Sequence, residues 1–234
     1  MRRAAGPVVA VVATALALAA CGGPPGDAAD SWAEPAERWA DGFEEAADSG
    51  IPNLARFLAP TLVVDDRATG GRLRVGRDAV LTYLRTALVT QADRQRQGPP
   101  YVSDTGLLLP VTWNARPGVD LDPIWQDAVL LLEVSREGLQ RQESATSVVS
   151  ARAFEPDDDW EVLETLAQRY LATPQAGGLR LGTVPGLGGP AVYGVTDRAE
   201  PRPVLRRAVL LLESERSCPG HVAVVLTLDA SGTA

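Results

Sequence analysis

The sequence contains no lysine, since all 22 of its basic residues are arginine. Without that amine the chain can form no lysine Schiff base, use no lysine as a general base and build no P-loop. Its single histidine, His221, stands three residues after Cys218. A zinc site requires further ligands, and a nucleophilic cysteine requires an electropositive setting. The pair therefore favours a turn with a packed thiol and an exposed imidazole, and we expect no metal and no cofactor.

Cysteine is also scarce, and the residues before Cys21 are organised as an export signal. A basic start at residues 2–3 precedes an apolar run over residues 8–20, and small residues precede the cysteine. The pattern resembles the bacterial lipobox, whose elements here are Leu18, Ala19, Ala20 and Cys21.

This resemblance implies a lipoprotein signal peptide over residues 1–20, cleavage before Cys21 and acylation of its thiol with chains such as palmitate. We therefore expect a lipid-anchored protein on the extracytoplasmic face of the cell membrane. The alternative, an uncleaved spanning helix, would need about 20 consecutive apolar residues. Lipidation would also leave Cys218 without an intrachain partner, so no internal disulfide is expected.

The net charge of the chain limits the kinds of molecule that it is expected to bind. The chain carries a net charge of −8, and removing residues 1–20, which hold two arginines and no acids, makes it −10. Such a surface repels phosphate groups, so we predict no nucleic-acid partner. Membrane contact must then come from the lipid on Cys21, because an acidic surface does not attract anionic headgroups.

Residues 31–90 are predicted to form, in order, two helices, a strand, a turn, a second strand and a third helix. Residues 21–30 are rich in Gly and Pro and read as a flexible tether. Ser31 and Glu34 form a capping box for a helix that Gly50 and Pro52 end. The pattern then predicts a short helix from Asn53 closed by Pro60, strands at Thr61–Val64 and Leu73–Val75, and a helix opened by Gly76.

This order resembles the NTF2-like or SnoaL-like superfamily, on Leu58, Ala59 and Pro60 before the strand and residues 76–80 opening the helix. The resemblance implies an α+β fold over residues 31–155, a cystatin-like cone of helices over a curved, mostly antiparallel sheet. Its later strands are predicted within residues 101–113, 124–134 and 144–154. Enzymes of the superfamily use a carboxylate inside the cone.

The remaining residues, 156–234, contain an apparent repeat. The hexapeptide AVLLLE occurs at residues 128–133 and again at 208–213, each time followed by a glycine turn. Two copies of one hairpin and coincidence in a Leu- and Val-rich chain are the two interpretations. A helix follows Asp159, residues 173–190 read as a Gly/Pro loop, and residues 156–234 are expected to form an additional unit with a C-terminal β-hairpin.

The last predicted strand, Val222–Leu228, is followed by a turn but by no further strand. An unpaired strand edge invites pairing with another chain. We therefore predict an open edge here: either this sequence lacks a closing strand that relatives have, or a partner such as a second copy in a homo-oligomer supplies it.

Candidate catalytic residues do not form a recognisable set. Asp65 and Asp66 follow a strand, Asp127 and Glu133 flank or end another, and Tyr83 lies on a helix. We expect solvated strand ends and a half-exposed tyrosine. The acidic residues of segment 155–161 lack the spacing of a calcium loop and read as a solvated loop.

Aromatic residues make up only 5% of the chain, so tryptophan placement is informative. Trp32 and Trp39 have helical spacing and are assigned to a core. Trp113 and Trp125 stand among prolines in a strand connection and are our predicted ligand-binding residues.

The sequence therefore favours a non-catalytic module that binds a small apolar ligand or a protein partner. One alternative is an exported cone-fold enzyme of cyclase or isomerase type, and another is a structural component of an envelope complex.

Overall fold

The structure is a computed structural model that describes residues 11–13, 33–67, 72–87, 92–96, 98–103, 106–115, 129–135, 137–149, 159–183, 188–197, 204–214 and 220–228. Its helices are α1 (Ala33–Asp48), α2 (Ile51–Leu54), α3 (Arg77–Ala87) and α4 (Asp159–Leu171), with 3₁₀ turns at Ala55–Phe57 and Pro174–Ala176. Within these residues no helix is long and apolar enough to cross a membrane.

All described strands belong to one mixed sheet. They are β1 (Val11–Ala13), β2 (Leu58–Asp65), β3 (Leu73–Val75), β4 (Ala92–Arg96), β5 (Tyr101–Ser103), β6 (Gly106–Ala115), β7 (Val129–Ser135), β8 (Gly138–Ser147), β9 (Leu179–Leu181), β10 (Val192–Asp197), β11 (Val204–Ser214) and β12 (His221–Leu228). Most pairs are antiparallel, and β2–β8 and β12–β5 are parallel.

Seven of these strands close into a cylinder. The neighbours follow the order β12, β5, β6, β7, β8, β10 and β11, and β11 pairs back with β12. Successive strand residues point to opposite faces, and a buried cluster takes side chains from all seven strands, for example Tyr101, Leu131, Tyr193 and Leu211. This cluster lines the interior of the cylinder.

Helices cover two parts of the outer face. The first three helices pack on the outward residues of β5 to β8 and on β2. Their centre is aromatic: Trp39 stacks on Phe43 with ring centroids 5.0 Å apart, and Phe57 meets both rings edge-on at 5.6 and 6.0 Å. On the opposite part, α4 buries apolar side chains against β10, β11 and β12.

The two AVLLLE segments form the first strands of two hairpins with the same register. Glu133 stands opposite Arg141, and Glu213 stands opposite His221. Leu131 faces Glu143 and Leu211 faces Ala223, so the partners of residues 129–133 and of residues 209–213 are displaced by 80 residues between the hairpins. The chain before residue 155 supplies four consecutive strands of the cylinder, β5 to β8, and the chain after it supplies the other three, β10 to β12. Both predicted units therefore contribute to one closed sheet.

Several predicted boundaries are wrong. β2 begins at Leu58 and includes Pro60, which was expected to end a helix, because the backbone already extends at Leu58. The strand predicted at 144–154 ends at Ser147. The predicted Gly/Pro loop at 173–190 contains β9, which pairs with β11, and a bridge between Thr183 and Pro190.

The predicted open C-terminal edge is covered in the described residues as long as residues 11–13 are present. β12 pairs with β11 from His221 to Thr227. On its other side Val222 stands opposite Val102, and residues 226–228 stand opposite β1. Long-range closure of the cylinder supplies neighbours that the local pattern does not reveal.

Candidate functional site

A polar cluster lies where β2 ends against β3, α3 and β8. Asp66 is 1% exposed and follows Leu62 and Val64, whose side chains are buried in the core under the first helices. Nη1 of Arg74 donates to Oδ2 of Asp66 at 2.8 Å. The hydroxyl of Ser144 donates to Oδ1 at 3.3 Å. Asp66 is therefore a buried carboxylate and not the solvated strand end that the sequence predicted.

The same arginine connects Asp66 to Tyr83. The Arg74 guanidinium lies 3.6 Å from the centroid of the Tyr83 ring, within cation–π distance. Tyr83 is half-buried, as expected from the sequence, and the structure joins it to Asp66 through Arg74. These residues form a set that spacing along the chain did not show.

Burial dominates the electrostatics of this set. It raises the pKa of Asp66 above its ordinary value, although the charge of Arg74 and the hydrogen bond from Ser144 act in the opposite direction. Burial also raises the pKa of Tyr83, and the charge of Asp66 adds to that effect. A buried carboxyl group with a raised pKa beside a phenol is an arrangement that can exchange protons.

A second polar cluster, the arginine–carboxylate network, lies on the other face of the sheet. It joins Asp65 to Arg67 and Arg141, and Glu143 to Arg141 and Arg207. Arg207 also donates from Nη2 to Oε1 of Glu133 at 2.5 Å. Three carboxylates thus meet three arginines, so the network is neutral as a whole.

Within this network, Arg207 connects the second hairpin to the first. It comes from β11, whereas Glu133 and Glu143 come from β7 and β8. Its side chain is 15% exposed, and that of Glu143 is 3% exposed. Burial lowers the pKa of Arg207, but the charges of Glu143 and Glu133 more than compensate and hold it above the usual value. Both hairpins are therefore tied by buried charge pairs.

The neighbouring aspartates should have opposite effects on stability. Burial raises the pKa of Asp65, but the hydrogen bonds and charge of Arg67, with the charge of Arg141, lower it below 3.8 overall. Its contribution to stability is present above pH 3.8 and is lost as the pH falls through the folded-state pKa. Asp66 has a folded-state pKa above 3.8, so its contribution is present below pH 3.8 and is lost as the pH rises through the folded value.

We therefore expect Asp65→Asn to lower the free energy of unfolding at neutral pH, and Asp66→Asn to raise it, with each difference shrinking as the pH falls. The measurement is denaturant unfolding of both variants and the parent chain between about pH 3 and 7. Changes of the same sign at neutral pH would contradict this assignment of the two carboxylates.

The structure does not bring the remaining predicted residues together. The backbone of Trp113 lies in β6 opposite Arg94, whereas Trp125, Asp127, Cys21 and Cys218 lie outside the described residues, as do the lipobox positions. His221 is half-buried, not exposed, because its ring meets that of Tyr101 edge-on at 5.4 Å. Within the described part of the chain no three metal-ligating side chains gather.

Sequence reasoning missed the arginines that complete both clusters. One signal could have pointed to them: Arg141 and Glu143 are two residues apart, so in a strand they lie on the same face. Arg207 precedes the second AVLLLE segment, yet its partners Glu143 and Glu133 lie 64 and 74 residues away. No pattern in the sequence near Arg207 identifies these partners.

No family model matches the chain, and no curated protein matches it in sequence. Solved structures similar to it include a candidate polyketide cyclase from Sinorhizobium meliloti, at 17% identity and a TM-score of 0.36, covering 48% of this chain and 97% of that one. A candidate SnoaL-like polyketide cyclase from Shewanella denitrificans shares 14% identity at a TM-score of 0.36, covering 51% and 95%.

A candidate ketosteroid isomerase from Kribbella flavida shares 17% identity at a TM-score of 0.34, covering 48% of this chain and 78% of that one. Each of these structures covers about half of this chain. With TM-scores below 0.5, they carry no argument about what this chain binds or catalyses.

Proposed function

We propose that the chain is a lipoprotein, anchored by acyl chains on Cys21 to the extracytoplasmic face of the cell membrane, and that its folded part is a non-catalytic binding or assembly module. The lipobox-like residues 18–21 support the anchor. The acidic balance of the chain supports a partner other than nucleic acid.

The observation that carries the non-catalytic assignment is the pairing of buried carboxylates with arginine. Asp65, Asp66, Glu133 and Glu143 each form an ion pair with an arginine. A carboxylate held in this way is a poor general base, because abstracting a proton would discard its ion pair. Trp39, Phe43 and Phe57, in mutual contact under the helices, also support a packed core there rather than an enclosed reaction site.

An exported enzyme is the second candidate, and the raised pKa of Asp66 is the observation that favours it. The cyclase or isomerase alternative drawn from the sequence gives a reaction class to test, proton removal beside a carbonyl group by a carboxylate. The assay is α-proton exchange of a small ketone in D₂O, followed by NMR. We expect no acceleration by the parent chain beyond that of Asp66→Asn. Exchange that the parent accelerates and Asp66→Asn abolishes would replace the non-catalytic proposal with the enzyme.

Lipid anchoring predicts that replacing Cys21 changes the cell fraction or the processing of the chain. Cys21→Ala should move the chain from the membrane fraction to the soluble extracytoplasmic fraction or leave its signal uncleaved, because no acyl chain can attach. Cys218→Ala is the matched control and should stay in the membrane fraction. The measurement is fractionation with immunodetection and mass spectrometry of the amino terminus. A processed Cys21→Ala chain that remains at the membrane contradicts the proposed anchor.

Cleavage would also affect β12. Removing residues 1–20 takes β1 away, so residues 226–228 would lose their neighbour on that side. Pairing between two copies at this short edge therefore remains a proposal, and sedimentation of the processed chain tests it.

A further inference from the structure

The interior of the cylinder contains a hydroxyl group that lacks a hydrogen-bond partner. Tyr193 on β10 is 0% exposed, and its side chain belongs to the cluster that lines the cylinder. Among the residues that the structure describes, no partner lies within hydrogen-bond distance of the Tyr193 hydroxyl. Buried hydroxyl groups are nearly always paired with protein, water or ligand. The partner of Tyr193 is therefore expected to be a molecule inside the cylinder.

Tyr101 lies next to this hydroxyl. It is 3% exposed and belongs to the same cluster. Burial raises the pKa of Tyr193, and Tyr101 adds to that rise, as expected for two phenols close together. Burial and the charge of Glu213 raise the pKa of Tyr101 to about 12. Both phenols are thus neutral at physiological pH and offer oxygen atoms as acceptors.

Glu213 completes an acceptor-rich corner at one end of the cylinder. A Cβ atom at Gly182 would lie 3.0 Å from Oε1 of Glu213 and 3.3 Å from the Tyr101 hydroxyl, so both oxygen atoms face this glycine. The other oxygen of Glu213 is 3.4 Å from Nη2 of Arg180, whose side chain is 64% exposed. An ion pair with so exposed a partner is weak, which leaves the carboxylate able to bind another cation.

The surroundings of Glu213 differ from those of the equivalent glutamate in the first hairpin. Glu213 holds in the second hairpin the position that Glu133 holds in the first, because their cross-strand partners are displaced by 80 residues. Glu133 is bound by the buried Arg207 at 2.5 Å. At the equivalent place Glu213 has an exposed arginine at a longer distance. The hydroxyl of the buried Tyr101 faces the same glycine as the Glu213 carboxylate. The first hairpin thus carries a buried cation for its glutamate, whereas the second pairs its glutamate with an exposed one.

We propose that this corner binds a small primary amine in its protonated form. The ammonium group donates hydrogen bonds to the Glu213 carboxylate and to the hydroxyl oxygens of Tyr193 and Tyr101. The aromatic rings of the two tyrosines and of His221, which meets Tyr101 edge-on, suit a cation and its alkyl group. An anion is disfavoured, because Glu213 and the acidic chain would repel it.

The test is calorimetric titration of the full chain, purified in detergent, with methylammonium chloride against sodium chloride at equal ionic strength. We expect saturable binding by the parent chain, at least ten-fold weaker binding by Tyr193→Phe, and loss of binding in Glu213→Gln. Tyr193→Phe removes only an unpartnered hydroxyl, so it should fold. Tyr170→Phe alters a buried tyrosine in the core under α4 and should bind as the parent does.

Gly182→Ala provides a second variant that keeps every polar group. Its added methyl group would crowd the two oxygen atoms, and we expect binding at least ten-fold weaker. The proposal is overturned if the parent shows no saturable response to methylammonium, if Tyr193→Phe binds with parental affinity, or if methanol gives the same response as methylammonium, which would assign a neutral ligand.

Discussion

Replacing Arg207 by alanine is expected to lower the free energy of unfolding by about 3 to 5 kcal/mol, because the buried Glu133 loses its arginine and Glu143 keeps only Arg141. The side chains of Glu133 and Glu143 are 11% and 3% exposed, so water cannot replace the guanidinium fully. The two carboxylates would also repel each other across adjacent strands. Denaturant unfolding at neutral pH measures the loss.

Two further variants separate the charge effect from lost packing. Arg180→Ala removes an exposed arginine that also pairs with a glutamate of a repeat hairpin, and it should cost less than about 1 kcal/mol. Combining Arg207→Met with Glu133→Gln and Glu143→Gln should recover part of the stability, because no unpaired charge remains buried. Equal losses for Arg207→Ala and Arg180→Ala would refute a role for the network in joining the hairpins.

Gly106→Ala is expected to destabilise the fold by about 4 kcal/mol or more, a range reserved for severe structural conflicts. Gly106 opens β6 with φ at +127°, which favours glycine. An added Cβ atom would lie 1.8 Å from the carbonyl oxygen of Val134 on the neighbouring strand. The methyl group would force β6 away from β7 and disrupt the cylinder where β6 pairs with the first hairpin.

Gly178→Ala is the matched control, because its φ is +83° and no heavy atom lies within 4 Å of the added Cβ position. It carries the backbone strain without the overlap and should cost about 1 to 3 kcal/mol. Circular dichroism and denaturant unfolding compare the two. A Gly106→Ala chain as stable as Gly178→Ala would show that β6 and β7 are not held at the described separation.

The sequence predicts the elements whose signal is local. The helical spacing of Trp39 and Phe43 places α1, the cap at Asp159 places α4, and the repeated AVLLLE segments fall in β7 and β11. β9 was missed because three residues, with Arg180 between two leucines, are too few for a periodic signal.

The polar clusters could not be predicted, because their members are distant in sequence. Asp65 and Asp66 are adjacent, yet alternation sends them to opposite faces of β2, where different arginines meet them. Which face is buried depends on long-range packing such as the closure of β12 onto β5, where Val222 stands opposite Val102. The missing partner of Tyr193 likewise has no trace in the sequence, because an unsatisfied hydroxyl is a property of the packed interior.

Mass spectrometry of the chain isolated from membranes of a lipoprotein-processing bacterium tests the central claim most directly. We predict a polypeptide that begins at Cys21 and carries acyl chains on its sulfur. An amino terminus at Met1, or an unmodified thiol at position 21, would contradict the anchored location and the envelope role that depends on it.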